Sequence, residues 1–299
     1  MDNADRKLVS EYLHSLKTQR RLSPATLDNY TRALEVLLSL LGQAPLTSLE
    51  AAHVRRFVAL LHGKGLAPRS LALALSAWRG CFAWLVRHRG FAVNPVLGIR
   101  APKAARPLPK ALSVEATEQL LNAEEKREPA LVRDRAMFEL LYSSGLRLAE
   151  LVSLDVGDGR LDLQQAEVTV TGKGSKTRTV PVGARAREAL QQWLSLRNGM
   201  AAPGEKALFV GERGKRIAPA VIGVRLKQWA RRSGLAEHVH PHMLRHSFAS
   251  HVLQSSQDLR AVQEMLGHAS ISTTQVYTHL DFQALAKVYD AAHPRAKKR

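Results

Sequence analysis

Cysteine is almost absent: Cys81 is the only one in 299 residues. That excludes a disulfide framework and any zinc site built on paired thiolates. Cys81 lies in an apolar helical stretch beside Phe82 and Trp84, so packing rather than chemistry is its expected role. No apolar run reaches the length of a membrane span, and no apolar signal region opens the chain. A cytoplasmic location is therefore expected. Acidic residues are also scarce, 26 Asp and Glu against 44 Lys and Arg, which leaves a formal net charge of +18. Such an excess points to a polyanionic partner, and nucleic acid is the default. The excess is spread along the chain, because residues 1–100 alone hold 14 Lys and Arg against 6 Asp and Glu.

What remains is ample for folding. Hydrophobic residues make up 45% of the chain, which argues against disorder, and the length predicts two domains. Leu27, Tyr30, Leu34, Leu37 and Leu41 step by three and four and mark one helical face, with Ser23 and Pro24 as its start signal. Similar stepping at Val9, Tyr12 and Leu16, at Val54, Phe57 and Leu61, and at Leu71, Trp78, Phe82 and Leu85 gives four helices in the first ninety residues. Pro95, Pro102, Pro107 and Pro109 among basic residues mark a linker. Beyond it, Met137, Leu140 and Leu141 belong to a helix that Gly145 stops. Alternation at Leu161 and Leu163, at Val168 and Val170, and from Thr177 to Val182 predicts short strands with a glycine-rich turn at Gly172-Lys173-Gly174. Helices are expected again over 183–197, 218–232, 242–254 and 258–266. The fold class is mainly α with a small β-hairpin element: a helical domain at 1–93, a linker at 94–110 and a mixed α/β domain at 111–299.

The chemistry-bearing residues recur in order: Gly145-Leu146-Arg147, Gly172-Lys173-Gly174, His242-Met243-Leu244-Arg245, Gly267-His268 and Tyr277. A phenol with its pKa near roughly 10 is a poor nucleophile at neutral pH and needs a base or a positive field. Two arginines can neutralise phosphate oxygens, the histidines can move protons, and a lysine can serve a leaving oxygen. Each residue alone has a blander reading. Arg147 has Glu150 three residues on as an ion-pair partner, Lys173 could be a solvated turn residue, and Lys176 competes with it. His242 and His246 stand four apart, but no glutamate or cysteine accompanies them and Arg245 puts a cation between them. No metal and no cofactor are expected.

The ordered set resembles the tyrosine recombinase (phage integrase) family, whose signature runs Arg, Lys, His-x-x-Arg, His or Trp, and Tyr. Leu22-Ser23-Pro24-Ala25-Thr26, Asn94-Pro95 and Ala292-His293-Pro294-Arg295-Ala296 extend the resemblance to its Xer branch over nearly the whole length. The stretch from Tyr277 to Arg295 is more similar to the XerC subgroup than to XerD. The resemblance implies catalytic residues Arg147, Lys173, His242, Arg245, His268 and Tyr277, with Glu150 orienting them, and an N-terminal domain that binds core DNA. It implies double-stranded DNA as substrate, a 3′-phosphotyrosyl intermediate, a heterotetramer with a XerD-like recombinase, an FtsK-like translocase as activator, and resolution of chromosome dimers. A final helix carrying Phe282, Leu285, Ala286, Val288 and Tyr289 is expected to dock on the neighbouring recombinase. An architectural DNA-binding protein with a silent site, or a type IB topoisomerase-like strand transferase, fits the same residues.

Overall fold

The computed structural model describes residues 3–103, 111–122, 128–172, 176–235, 239–267 and 279–296, and only the backbone of Asn3 and of 279–284. It divides into two compact units, Met1–Arg106 and Pro107–Arg299.

The first unit holds α1 (Asn3–Thr18), α2 (Pro24–Leu41), α3 (Ala51–Gly63) and α4 (Pro68–Arg89). Helix α2 starts where its cap dictates, with the Ser23 hydroxyl accepting the Thr26 amide and Pro24 in the first turn. The stepped apolar faces meet in one core around Leu16, Leu34, Leu37, Val54, Trp78 and Phe82. Trp78 is fully buried and its indole N–H donates to the Ala33 carbonyl at 2.7 Å. Cys81 is packed there too, and burial pushes its thiol up to about 12, so it remains an unreactive core residue. The stretch expected to open the linker packs onto this unit instead. Val96 and Ile99 are buried, Asn94 Nδ2 donates to the Arg79 carbonyl at 3.0 Å, and Arg79 Nη2 donates to the Ile99 carbonyl at 2.8 Å.

The second unit contains α5 (Val114–Leu121), α6 (Pro129–Ser143), α7 (Leu148–Val152), α8 (Ala184–Arg197), α9 (Pro219–Arg232), α10 (Pro241–Ser256), α11 (Leu259–Leu266) and α12 (His279–Ala292). Its antiparallel sheet runs in the order β1 (Leu161–Asp162), β2 (Glu167–Thr171) and β3 (Thr177–Pro181), with Val170 opposite Arg178. Helix α6 is buried almost all round, which hides any amphipathic period. Its buried charges are paired: Arg133 donates to Asp134, Arg225 Nε reaches Asp134 at 2.5 Å, and Glu139 binds Arg295.

In the closing segment, Leu285, Tyr289, Ala292 and Ala296 are buried in this chain's own core. Polar contacts fix it there. The Tyr289 and Ser143 hydroxyls lie 2.7 Å apart, Ser143 Oγ accepts the Gly183 amide, and Arg295 binds both Glu139 oxygens and Asn122 Oδ1. A Cβ on Gly183 would come within 2.6 Å of the Tyr289 hydroxyl and the Arg295 carbonyl, so the close approach requires glycine. His251 Nε2 donates to the Leu112 carbonyl, leaving Nδ1 to accept from the Tyr142 hydroxyl. His293 stacks on Tyr289 with ring centroids 4.7 Å apart.

Truncation after Leu280 should therefore abolish cooperative melting of the second unit, and calorimetry of the truncated chain checks this. A sharp transition at the parent temperature would show that this packing is dispensable. A second expectation concerns acid. Burial first, with the Arg295 charge adding to it, holds His293 neutral and lowers its pKa to about 3 from 6.5. The unfolded chain thus takes up this proton more readily. The stability present above the unfolded value is lost as pH falls from 6.5 toward about 3, at up to about 1.4 kcal/mol per pH unit. His293→Phe should flatten the fall in melting temperature between pH 7 and 5; an unchanged slope would assign the acid sensitivity to other groups.

Candidate active site

Three guanidinium groups close the carboxyl end of α11. A helix leaves its last carbonyls without internal partners, and its carboxyl end carries partial negative charge. Here three successive carbonyls each take an arginine: Met265 from Arg178 Nε at 2.7 Å, Leu266 from Arg245 Nη2 at 2.6 Å, and Gly267 from Arg147 Nη2 at 3.3 Å. The helix begins at an Asp258 cap, whose carboxylate accepts the Ala261 amide, and ends at Gly267 in the left-handed region. Local sequence signals therefore set where the carbonyls lie.

Each arginine reaches the helix end from a different element. Arg147 is the N-cap of α7, and its own N–H donates to Glu150 Oε2 at 2.8 Å while its Nη1 donates to Oε1 at 2.8 Å. Arg178 comes from β3 and binds the same carboxylate in bidentate fashion, at 2.7 and 2.8 Å. Arg245 projects from α10, buried, with Nη1 on the Gly145 carbonyl at 2.5 Å. That carbonyl is presented by a residue at φ +56°, and a Cβ on Gly145 would meet the Phe248 ring at 2.5 Å. The glycine read as a helix stop thus also shapes the Arg245 seat.

Charge in the cluster is unbalanced. Among the described residues, Glu150 is the one carboxylate hydrogen-bonded within the cluster, to Arg147 and Arg178. Burial opposes its ionisation, but the Arg178 and Arg147 hydrogen bonds and the Arg178 charge outweigh that and hold its pKa at about 2. Burial, followed by repulsion from Arg147 and Arg178, lowers Arg245 to about 10, so it stays protonated at neutral pH. Three cations and one anion leave a surplus of positive charge, and Arg147 remains 35% exposed to meet a ligand. This is an anion site suited to phosphate.

Of the residues expected to act, Arg147 and Arg245 are brought together here. His242 is exposed in the first turn of α10, one turn before Arg245. Lys173, His268 and Tyr277 lie outside the described residues. Their described neighbours lie at the cluster: the Gly267 carbonyl accepts Arg147, and a Cβ on Gly172 would sit 3.5 Å from Arg147 Nη1 and Glu150 Oε1. Lys176 is exposed at the mouth of the hairpin, where its carbonyl accepts the Gly172 amide at 2.8 Å. Sequence reasoning missed Arg178. The signal was its register, since it shares the inward face of β3 with Val180, where a cation needs a buried partner.

Glu150→Gln should cost about 3 kcal/mol of stability or more at neutral pH, because two guanidiniums lose their counter-charge. The Glu150 contribution is present above the ordinary carboxylate value of 4.5 and is lost as pH falls toward about 2. Chemical denaturation at pH 7 and pH 3 checks both statements, with the deficit of the variant shrinking at the lower pH. A deficit equal at both would place the role of Glu150 outside its charge.

The comparisons with known proteins agree with this geometry. Residues 110–284 match the phage integrase family, and residues 9–89 match the N-terminal SAM-like domain of phage integrases. The tyrosine recombinase XerC of Ralstonia pickettii (strain 12J) is 54% identical over 310 residues, covering 97% of this chain and 94% of the relative. XerC of Salmonella typhi is 52% identical over 293 residues, covering 97% and 96%. Among solved structures, the XerH site-specific recombinase bound to its difH substrate in a pre-cleavage complex is 25% identical at a TM-score of 0.67, covering 93% of this chain and 83% of that one. A lambda integrase fragment bound as a dimer to a core site shares the fold, with a TM-score of 0.70 at 17% identity, covering 91% of this chain and 98% of that one. An arginine pair set around one carboxylate, two matched family domains and relatives identical at half their positions lead to one assignment: the chain belongs to the phage integrase family of tyrosine recombinases, enzymes that cut and rejoin DNA through a phosphotyrosine intermediate, and is XerC-like within the Xer branch.

Proposed function

We propose that the protein is a site-specific recombinase of double-stranded DNA, in which Tyr277 is the nucleophile and the arginine cluster receives the scissile phosphate. The observation that carries this reading is the surplus of positive charge at the end of α11, where Arg147 and Arg245 meet beside the chain that leads into His268 and Tyr277. Tyr277 attacks phosphorus, the bond to the 5′ oxygen breaks, and a 3′-phosphotyrosine forms. Arg147 and Arg245, with His268, stabilise the added negative charge of the transition state. His242 takes the phenolic proton, and Lys173 gives a proton to the departing 5′ oxygen. One ester replaces another, so a 5′ hydroxyl from a second strand reverses the step with no external energy source. The finer reading that we propose, from the resemblance to the XerC subgroup, is a heterotetramer with a XerD-like recombinase, activation by an FtsK-like translocase, and resolution of chromosome dimers at a short chromosomal site. The XerH complex supports a duplex substrate.

A nicked suicide duplex carrying a candidate chromosomal site, with and without the partner recombinase, tests this reading. The parent chain should form an adduct that survives denaturing electrophoresis, and Tyr277→Phe should keep its DNA affinity while forming none, since one hydroxyl is lost from a largely electrostatic interface. An adduct in the Phe variant would remove Tyr277 from its role; binding without any adduct in the parent would favour an architectural protein.

The same duplex with sulfur in place of the bridging 5′ oxygen separates the lysines, because a thiolate leaves without a proton donor. Lys173→Ala should be slow on oxygen and largely restored on sulfur, and Lys176→Ala should show no such difference. The reverse pattern would transfer the acid role to Lys176.

A further inference from the structure

Arg178 has no role in the reaction described above, yet it is bound at every guanidinium nitrogen. Its side chain is 6% exposed, and it uses Nη1 and Nη2 on Glu150 and Nε on the Met265 carbonyl. The seat is fitted closely. A Cβ on Gly267 would lie 3.0 Å from Arg178 Cδ and 3.3 Å from its Nε and Nη1, so a larger residue there would crowd the Arg178 side chain as well as strain a backbone at φ +62°. Three of its five N–H donors are used, one at each nitrogen, and at 6% exposure the side chain offers little surface to a phosphate.

Its effect on Arg147 follows from how Glu150 is shared. Oε1 accepts from Nη1 of both arginines, and Oε2 accepts from Arg178 Nη2 and the Arg147 amide. The bidentate grip fixes the plane of the carboxylate, and that plane fixes the Arg147 guanidinium. It also divides the negative charge. With Arg178 present, Glu150 is largely neutralised inside the cluster, and the charge on Arg147 remains available to an incoming anion. Without Arg178, Glu150 would pair with Arg147 alone and cancel it.

We propose that Arg178 is a positioning residue for catalysis: through Glu150 it orients the Arg147 guanidinium and keeps its charge free for the scissile phosphate. The proposal rests on the reading of Arg147 as a phosphate clamp. Arg178 acts on no reacting atom itself, and its conservative replacement by lysine keeps the charge but loses the planar, two-pronged grip.

The test is a double-mutant cycle on full-length protein, read as the rate of covalent adduct on the suicide duplex with a bridging 5′ sulfur, which removes the proton-donor step. Arg178→Met should slow adduct formation on the order of 100-fold, the scale of a misplaced catalytic group, with DNA binding retained in a gel shift. Arg178→Lys should fall between Met and the parent. In an Arg147→Ala background, the same Met substitution should cost less than about 10-fold, because the group it positions is gone. Equal losses in both backgrounds would overturn the proposal, as would no loss in the parent, or failure of both the Met and Lys variants to fold. If Arg147→Ala alone costs nothing, the clamp reading itself fails, an outcome distinct from additivity, in which the clamp stands and only the role of Arg178 falls.

Discussion

The arginine cluster depends on the carbonyls that one short helix leaves without internal partners at its end. Arg178, Arg245 and Arg147 arrive from a strand, a helix and a helix cap, and none of these elements is adjacent in sequence to another. Three like charges brought together would repel; three successive carbonyls and one carboxylate hold them. The helix end therefore acts as a template. Moving α11 by one residue would present different carbonyls and scatter the guanidiniums, which is why its two boundaries, the Asp258 cap and the left-handed Gly267, bear on chemistry as much as on folding.

Much of this was legible in the sequence, and what was not has identifiable causes. Helices of the first unit follow directly from three- and four-residue steps, and Ser23, Gly145 and Gly267 mark the boundaries they were expected to mark. Arg147 and Arg245 were found because their motifs are local. Arg178 was not, since its meaning depends on Glu150 twenty-eight residues earlier and on a helix eighty-seven residues later. Short helices such as α5 and α7 carry too few turns for a period to show. Helix α6 failed to show one for the opposite reason: Arg133, Asp134 and Glu139 lie inside, neutralised by partners that periodicity cannot see.

The terminal segment shows how an apolar stripe can be legible as a buried face while its neighbours in the fold are not. Leu285 and Tyr289 predict a buried face, but only the polar anchors decide where it is buried. Tyr289 finds Ser143 at the end of α6, and Arg295 finds Glu139 one turn earlier, so both ends of the segment are tied to the helix that leads into Gly145 and Arg147. The same helix thus supports the closing segment and presents the first arginine of the cluster.

Surplus charge at the arginine cluster has a thermodynamic meaning for the protein before it meets its substrate. An anion that settles against Arg147 relieves repulsion that the folded chain otherwise bears, and a ligand that prefers the folded state raises its stability in proportion to the logarithm of its concentration over its dissociation constant. Folding of the catalytic unit and occupation of its centre are accordingly linked equilibria. On the proposed reading of the cluster, the DNA-free chain is the less stable form, and a phosphate completes its electrostatics.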